Sequence, residues 1–158
     1  MSISDRIVVM KDGVVQQIGR PQDVYDSPRN LFVAKFLGTP PINVFEGEVR
    51  GGLLYLGEDA VLKTALSDRK VWVGVRPEGF VPQQAGPLRC ELRAVEVMGR
   101  DISVVAGHPA CVSAAIRAII RAEERPDTQV GTVRFALKPH KVFLFDRESE
   151  ERLEAELS

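Results

Sequence analysis

The chain has 158 residues, of which 44% are apolar and 27% charged, and its formal net charge is −1. This length can bury a hydrophobic core without disulfide bonds or metal ions, and the near-neutral charge argues against binding to nucleic acid or an anionic membrane. Cys90 and Cys111 are too few for a disulfide framework, and we expect small buried thiols in a reducing compartment. No apolar run approaches the length of about 18 residues that suggests a membrane span, and the first residues lack a signal-peptide pattern, so we expect a cytoplasmic chain.

The first twenty residues predict a β-hairpin. Arg6 to Met10 and Val14 to Ile18 are rich in β-branched residues. The Asp12-Gly13 pair between them is typical of a tight hairpin turn, because glycine adopts positive φ without strain.

Two short helices and a linker are predicted next. Pro21 suits the first turn of a helix that ends at Ser27-Pro28. Asn30 can cap a second helix, which Gly38 terminates. The two prolines of Thr39-Pro40-Pro41 then predict a stiff linker.

Beyond this linker the sequence indicates a mainly β fold, a small barrel or sandwich, because short valine-rich segments alternate with glycines. The predicted strands lie within Asn43–Arg50, Leu53–Leu56, Ala60–Leu62, Val71–Val75, Leu88–Met98, Asp101–Ala106, Gly131–Leu137 and Val142–Phe145.

One segment stays ambiguous between strand and helix. In residues 112–124, Val112, Ile116, Ile119 and Ile120 share a helical face, but apolar residues also alternate from 112 to 120. The β context favours a strand for the first half, and the segment as a whole stays open between strand and helix.

A weak internal repeat suggests two related β units. Residues 73–78 and 135–140 both follow the order apolar, small, apolar, basic, proline, polar, and each would be a strand that ends at proline.

The last residues are acidic. Between Asp146 and Ser158 there are six acidic residues and only two basic ones, Arg147 and Arg152. This composition predicts a short solvated helix or a frayed tail.

Motifs for catalysis are missing from the sequence. It contains no Gly-Lys dipeptide of a phosphate-binding loop, no Leu-Ser-Gly-Gly signature and no Gly-x-Ser-x-Gly elbow. His108 and His140 are not near cysteine at metal-ligand spacing, so we expect ordinary loop or surface histidines and no metal site. Low aromatic content argues against single-stranded nucleic acid as a partner, and an unrelated enzyme is the weakest hypothesis.

The triplet Arg76-Pro77-Glu78 is the most specific feature of the second half. The simplest interpretation is that Pro77 ends a strand while Arg76 and Glu78 are solvated or weakly paired on the surface.

From about residue 2 to 148 the chain resembles the C-terminal part of the ATP-binding subunits of ABC importers of the maltose and glycerol-3-phosphate type. Its opening segment is similar to the end of the nucleotide-binding domain, and the rest to the transport-associated barrel. The matching residues are Ser4-Asp5-Arg6-Ile7, Gln17-Ile18-Gly19, Pro21, Tyr25, Pro28, Phe32-Val33-Ala34, Phe36, Gly38, Asn43, Gly47, Val49, Val75-Arg76-Pro77-Glu78, Val95-Glu96, Gly99, Pro139 and Leu144-Phe145-Asp146. The family often has histidine after the triplet, where this chain has Gly79.

The resemblance implies a fold and a division of the chain. It implies an OB-fold-like small β-barrel at residues 41–148, preceded by a hairpin and two short helices at residues 1–40 and followed by an acidic tail at 149–158. This chain would carry no cofactor, since ATP and Mg²⁺ belong to the nucleotide-binding half, whose loops are missing here.

The resemblance also implies a role and partners. The chain would be a non-catalytic regulatory and dimerisation domain at the inner face of the plasma membrane. We expect a homodimer that works with transmembrane permease subunits and receives signals from a regulatory protein or small ligand. Arg76, Glu78 and Arg100 are the candidate interface residues. The alternative is a module that binds an oxyanion or sugar phosphate through backbone N–H groups and Ser, Thr and Lys side chains.

Overall fold

The computed structural model describes residues 5–125 and 131–158 and begins with the predicted hairpin. Strands β1 (Ile7–Lys11) and β2 (Val14–Gly19) pair antiparallel. Asp12 and Gly13 both have positive φ, at 50° and 78°. Two positive φ values at the centre of a two-residue loop define the turn that matches the twist of a hairpin. The hairpin prediction is therefore confirmed, while the matching residue Ser4 lies outside the described residues.

Both predicted helices are present. Helix α1 (Pro21–Asp26) starts at proline, and α2 (Leu31–Phe36) is capped by Asn30, whose Oδ1 accepts a hydrogen bond from the Val33 N–H at 2.9 Å. Gly38 follows with φ of 110°, a conformation that favours glycine at a helix end. Residues 7–37, named here the N-terminal segment, connect to the barrel through a cis Thr39–Pro40 bond.

The rest of the chain folds into two antiparallel sheets with an OB-like arrangement, which confirms the predicted mainly β fold. One sheet has the order β13-β12-β6-β3-β4-β5 and the other the order β10-β9-β8-β11-β7. The strands are β3 (Asn43–Arg50), β4 (Leu53–Leu56), β5 (Asp59–Lys63), β6 (Arg69–Val75), β7 (Phe80–Pro82), β8 (Leu88–Met98), β9 (Asp101–Gly107), β10 (Ile116–Arg121), β11 (Thr132–Leu137), β12 (Val142–Asp146) and β13 (Arg152–Leu153).

The barrel, defined as β3 to β12, is built from two equivalent halves. In the first half, β3, β4 and β5 form a meander, β6 returns beside β3, and β7 crosses into the other sheet. In the second half, β8, β9 and β10 form the meander, β11 returns beside β8, and β12 crosses back. The repeat that the sequence shows at residues 73–78 and 135–140 therefore extends to a whole unit of five strands.

The two proline-containing turns meet at the pseudo-twofold axis of the barrel. Pro77 and Pro139 each open a 3₁₀ turn, at Pro77–Gly79 and Pro139–Lys141. The Arg76 N–H donates to the Lys141 carbonyl at 3.0 Å, and the equivalent Lys138 N–H donates to the Gly79 carbonyl at 2.8 Å. The flanking strands repeat this symmetry, because Val75 pairs with Val142 and Leu137 pairs with Phe80.

The ambiguous segment 112–124 contains a strand in its middle. Strand β10 covers Ile116–Arg121 and pairs with β9, and a 3₁₀ turn follows at Ala122–Glu124. The preference for a strand in the first half holds only from Ile116 onward, because Cys111 and Val112 are held instead by the edge of β3. The Val112 N–H donates to the Val44 carbonyl at 2.8 Å.

The acidic end is neither a helix nor a frayed tail. Strand β13 pairs with β12, and Ser158 exchanges two backbone hydrogen bonds with Lys63 at 2.7 and 3.1 Å. Two partly buried leucines, Leu153 and Leu157, contact the barrel core. Net charge misled the prediction because main-chain pairing does not depend on the side chains that face the solvent.

A buried asparagine ties the two sheets together. Asn43 is 2% exposed, and its side chain accepts from the Arg117 N–H at 2.8 Å and donates to the Arg117 carbonyl at 3.1 Å. It acts like an extra residue paired with β10, so a polar group in the core is satisfied. The main core lies between the sheets and includes Phe45, Phe80 and Phe135.

Candidate functional site: the Arg76 joint

The arginine of the triplet is one of the most deeply buried side chains of the barrel. Arg76 follows the last residue of β6 and precedes the 3₁₀ turn that Pro77 starts. Only 1% of the residue is exposed. The interpretation of Arg76 as a solvated residue is therefore wrong, because the N-terminal segment covers it.

The Arg76 guanidinium binds three main-chain carbonyls of the N-terminal segment. Nη1 donates to the carbonyls of Ala34 at 2.8 Å and Leu37 at 3.0 Å, and Nη2 donates to the Tyr25 carbonyl at 2.8 Å. These carbonyls lie in the last turn of α1 and at the end of α2, where helical carbonyls lack intrahelical partners. The helix ends are also the places where a cation is favoured. One side chain therefore binds carbonyls at the ends of two helices. We name Arg76 and its partners Tyr25, Ala34 and Leu37 the Arg76 joint.

Aromatic rings complete the surroundings of the guanidinium. Its carbon atom lies 3.9 Å from the ring centroid of Tyr25 and 5.6 Å from that of Phe143, within the range of cation–π attraction. Among the described residues, no carboxylate lies within ion-pair distance of Arg76. Carbonyl dipoles and aromatic rings therefore compensate the buried charge directly.

Glu78 strengthens the same joint from the other side of Tyr25. The Tyr25 hydroxyl donates to Glu78 Oε2 at 2.6 Å, and Lys141 Nζ lies 3.4 Å from the same oxygen. Burial raises the pKa of Tyr25, and its hydrogen bond to Glu78 adds to that rise. Desolvation opposes ionisation of Glu78, but the hydrogen bond from Tyr25, a backbone N–H and Lys141 together hold its pKa below the usual value. Glu78 is thus favoured as a carboxylate, while Tyr25 stays a phenol that donates.

Apolar contacts surround the polar joint. Leu31 and Ala34 of α2 pack with Phe143 and Phe145 of β12 and with Ile42 in one buried cluster. Gly38 allows the close approach, because a Cβ there would lie 3.3 Å from the Tyr25 ring and 3.8 Å from Arg76 Nη1. The N-terminal segment is therefore fixed to the barrel by packing and by hydrogen bonds.

The structure places the three candidate interface residues in two regions. Arg76 and Glu78 lie together in the joint, and Arg100 lies exposed in the turn between β8 and β9. Next to Glu78, a Cβ at Gly79 would lie 2.8 Å from the Lys141 Cβ, so this chain leaves no room for a side chain there. The role of the three residues in a subunit interface stays a prediction.

Sequence reasoning missed the partners that make Arg76 a joint. Tyr25 and Lys141 were not candidates, although the repeat at residues 135–140 leads directly to Lys141. The sequence does contain one signal for the joint, a basic residue between an apolar strand and a proline. A side chain at such a position has the hydrophobic core on one side.

A second polar pair lies elsewhere in the barrel. His108, predicted as a loop or surface residue, has a side chain only 4% exposed, and its Nε2 lies 2.9 Å from Asp59 Oδ2. Its Nδ1 accepts from the Ala110 N–H at 3.0 Å, so Nε2 carries the proton and donates. Both ring nitrogens are therefore used. Within residues 5–125 and 131–158, no group of three His, Cys, Asp or Glu is placed to hold a metal ion.

The chain is similar over most of its length to curated ATP-binding proteins of importers. It is 34% identical over 97% of its residues to the sn-glycerol-3-phosphate import ATP-binding protein UgpC of Jannaschia sp.. It is 35% identical over 95% to the osmoprotective compounds uptake ATP-binding protein GgtA of Synechocystis sp., and 34% identical over 95% to the sulfoquinovosyl glycerol transport ATP-binding protein SmoE of Agrobacterium fabrum.

These matches cover 43%, 45% and 44% of the relatives' own lengths, so the chain spans less than half of each. The partial coverage is consistent with a C-terminal region of the relatives. No family model matches the chain. In the described part of the chain, no helix has the length and apolar character needed to span a membrane.

Replacing Arg76 by alanine should lower the free energy of unfolding by about 3 kcal/mol, because three carbonyls lose a donor and a cavity opens in the joint. Arg76→Lys should give a smaller loss, since an ammonium group lacks the planar fork that reaches both helix ends. Urea unfolding followed by Trp72 fluorescence measures both. The control is Arg100→Ala, an exposed arginine whose loss should cost less than about 0.5 kcal/mol. Equal losses for Arg76→Ala and Arg100→Ala would contradict the joint.

Glu78 should make the stability depend on pH. Its pKa is lowered by folding, so its contribution is present above the unfolded pKa of about 4.3 and is lost as pH falls through the folded value. We therefore expect wild type to exceed Glu78→Gln in unfolding free energy near neutral pH, with the difference shrinking below about pH 4. Urea titrations of both proteins over this range measure it. A difference that does not change with pH would show that the carboxylate is not linked to folding.

Proposed function

The chain belongs to the family of ATP-binding subunits of ABC importers, of which it matches a part, and we propose that it is their non-catalytic regulatory and dimerisation region. The observation that carries this proposal is the Arg76 joint, which attaches the N-terminal segment to the barrel. By the resemblance, that segment is the end of the nucleotide-binding domain. A barrel attached in this way moves with the part of the protein that binds ATP.

A rigid attachment gives the barrel a physical means of regulation. A ligand or partner that prefers one arrangement of two barrels shifts the equilibrium of everything fixed to them, by as much as its affinities for the two arrangements differ. The three hydrogen bonds from Arg76 and the apolar cluster around Phe143 support such transmission, because they leave little freedom between the segment and the barrel.

We assign ATP hydrolysis to the portion of the relatives that this chain does not span. The sequence has no phosphate-binding loop, so ATP and Mg²⁺ would be bound by the other portion of the longer protein. The names of the relatives include glycerol 3-phosphate and sulfoquinovosyl glycerol, which supports a carbohydrate-class solute as the cargo. The transporter would hold the chain at the cytoplasmic face of the membrane through permease subunits.

Self-association is the direct test of the dimerisation role. Light scattering across a concentration range should approach twice the 17.5 kDa mass of the chain. Arg100→Glu should shift the dimer toward monomer, because Arg100 is exposed at the turn between β8 and β9. The matched control is Arg50→Glu, an exposed arginine at the equivalent turn between β3 and β4. A single-chain mass at every concentration, or equal effects of the two variants, would contradict the proposal.

A cleft supports the alternative role in binding a small anionic ligand. It has a volume of about 530 Å³ and is lined by residues that include Arg89, Arg93 and Thr132. A β-bulge between Leu92 and Ala94 takes Arg93 out of the regular alternation of side chains between the two faces of the strand. The Arg93 guanidinium then lies over Gly107, where a Cβ would be 2.5 Å from Nη2. Two arginines at one cleft favour a phosphate or other oxyanion, although Glu91 also lines it.

Thermal unfolding with phosphate, molybdate and glycerol 3-phosphate tests this alternative. If the cleft binds the anion, a rise in Tm should occur in wild type and disappear in Arg93→Ala, because ligand binding to the folded state stabilises it. The matched control is Arg117→Ala, an arginine of β10 outside the lining of this cleft. No rise with any anion, or a rise that Arg93→Ala retains, would exclude the cleft.

A further inference from the structure

The last residues of the chain hold together parts of the fold that are distant in sequence. We name residues 150–158 the strap. Apart from β13, which belongs to the strap, one sheet has β12 and β5 as its two edge strands. The strap contacts both of them and also contacts the N-terminal segment. None of these contacts is a hydrogen bond of the Arg76 guanidinium, so the strap is a second attachment.

The strap pairs with short stretches at both edges of one sheet. Arg152 and Leu153 pair with Phe145 and Leu144 of β12, and Leu157 bridges Thr64 just after β5. Without the strap, Leu144 and Phe145 of β12 and Lys63 at the end of β5 would have main-chain groups free to pair with another strand.

The strap also binds the N-terminal segment between its two helices. The Leu31 N–H donates to the Glu150 carbonyl at 2.9 Å, and the Arg152 N–H donates to the Arg29 carbonyl at 2.9 Å. Arg152 Nη1 donates to Ser27 Oγ at 2.9 Å, and its guanidinium lies 4.8 Å from the Phe143 ring. The start of α2 is thus fixed by the strap, whereas the end of α2 is fixed by Arg76.

Several features make the strap easier to release than the barrel strands. Its ladder has two residue pairs with β12 and one bridge near β5, and Leu153 and Leu157 are only partly buried. Glu150, at its start, has φ of 62°, a left-handed conformation that is strained for a residue other than glycine. Segments with few buried apolar contacts and short ladders open at low free energy.

We propose that the strap is a conformational latch. When paired, it holds the start of α2 on the barrel and covers the edges of β12 and β5. When released, it loosens the N-terminal segment and uncovers both edges, while the core between the sheets stays folded. The latch deepens the proposed regulatory role, on which its consequence for an importer rests, because loosening this segment would weaken the connection between the barrel and the ATP-binding part.

Hydrogen exchange measured residue by residue on the 158-residue chain tests the latch. Glu150→Pro should release the strap, because proline cannot adopt positive φ and lacks the N–H that Glu150 donates to the Asp146 carbonyl at 2.9 Å. The matched control at the same position is Glu150→Gly, which adopts this φ without strain and keeps the N–H.

In Glu150→Pro, we expect exchange to accelerate by about tenfold or more at the amides of Leu31, Val33 and Lys63, and to stay within about twofold at Val73 and Val104 in the barrel. Glu150→Gly should keep or increase the wild-type protection at all five amides. A uniform acceleration would show that the strap belongs to the folding core, and acceleration at Lys63 without Leu31 would show that the two attachments are independent. Either result overturns the latch. Since the measurement uses neither ATP nor a permease, failure of the transport role would leave its outcome unchanged.

Discussion

The buried guanidinium of Arg76 is the constraint on which the arrangement of this molecule depends. Burying a cation away from water is costly unless nearby dipoles or opposite charges compensate it. Here the compensation comes from carbonyls at the ends of α1 and α2, which would themselves lack partners. The two Nη atoms and the helix ends satisfy each other, whereas the buried Nε has no hydrogen-bond partner among the described residues. Moving the N-terminal segment away from the barrel would break all three hydrogen bonds of the guanidinium at once.

The internal symmetry of the barrel shows how such a joint can arise from a repeated unit. The two proline-containing turns have equivalent hydrogen bonds, and Arg76 occupies the position of Lys138. Lys138 is exposed, whereas Arg76 is buried by the segment that precedes the barrel. The two halves of the barrel therefore share the same backbone framework. Only one of the two equivalent side chains, Arg76, binds the N-terminal segment. Covering one turn breaks the symmetry and gives the barrel a defined attachment side.

Local patterns in the sequence predicted most of the secondary structure but not the contacts between distant segments. The Asp12-Gly13 turn, the Asn30 cap and the strand Leu88–Met98 follow from turn chemistry, capping and β-branched runs, and the structure has each of them. The burial of Arg76 does not follow from such patterns, because its partners lie 39 to 51 residues away in the chain. The pairing of the acidic end was missed for a related reason, since main-chain pairing leaves its side chains free to be charged.

The central claim is that the N-terminal segment and the barrel form one cooperative unit through the joint. It is tested most directly by urea unfolding of the wild-type chain, followed through the amide resonances of Ala34 in α2 and Val104 in β9. Both residues are buried, and they belong to different core clusters. One common midpoint for the two amides is the predicted result. Loss of the Ala34 signal at a lower urea concentration than the Val104 signal would contradict the account.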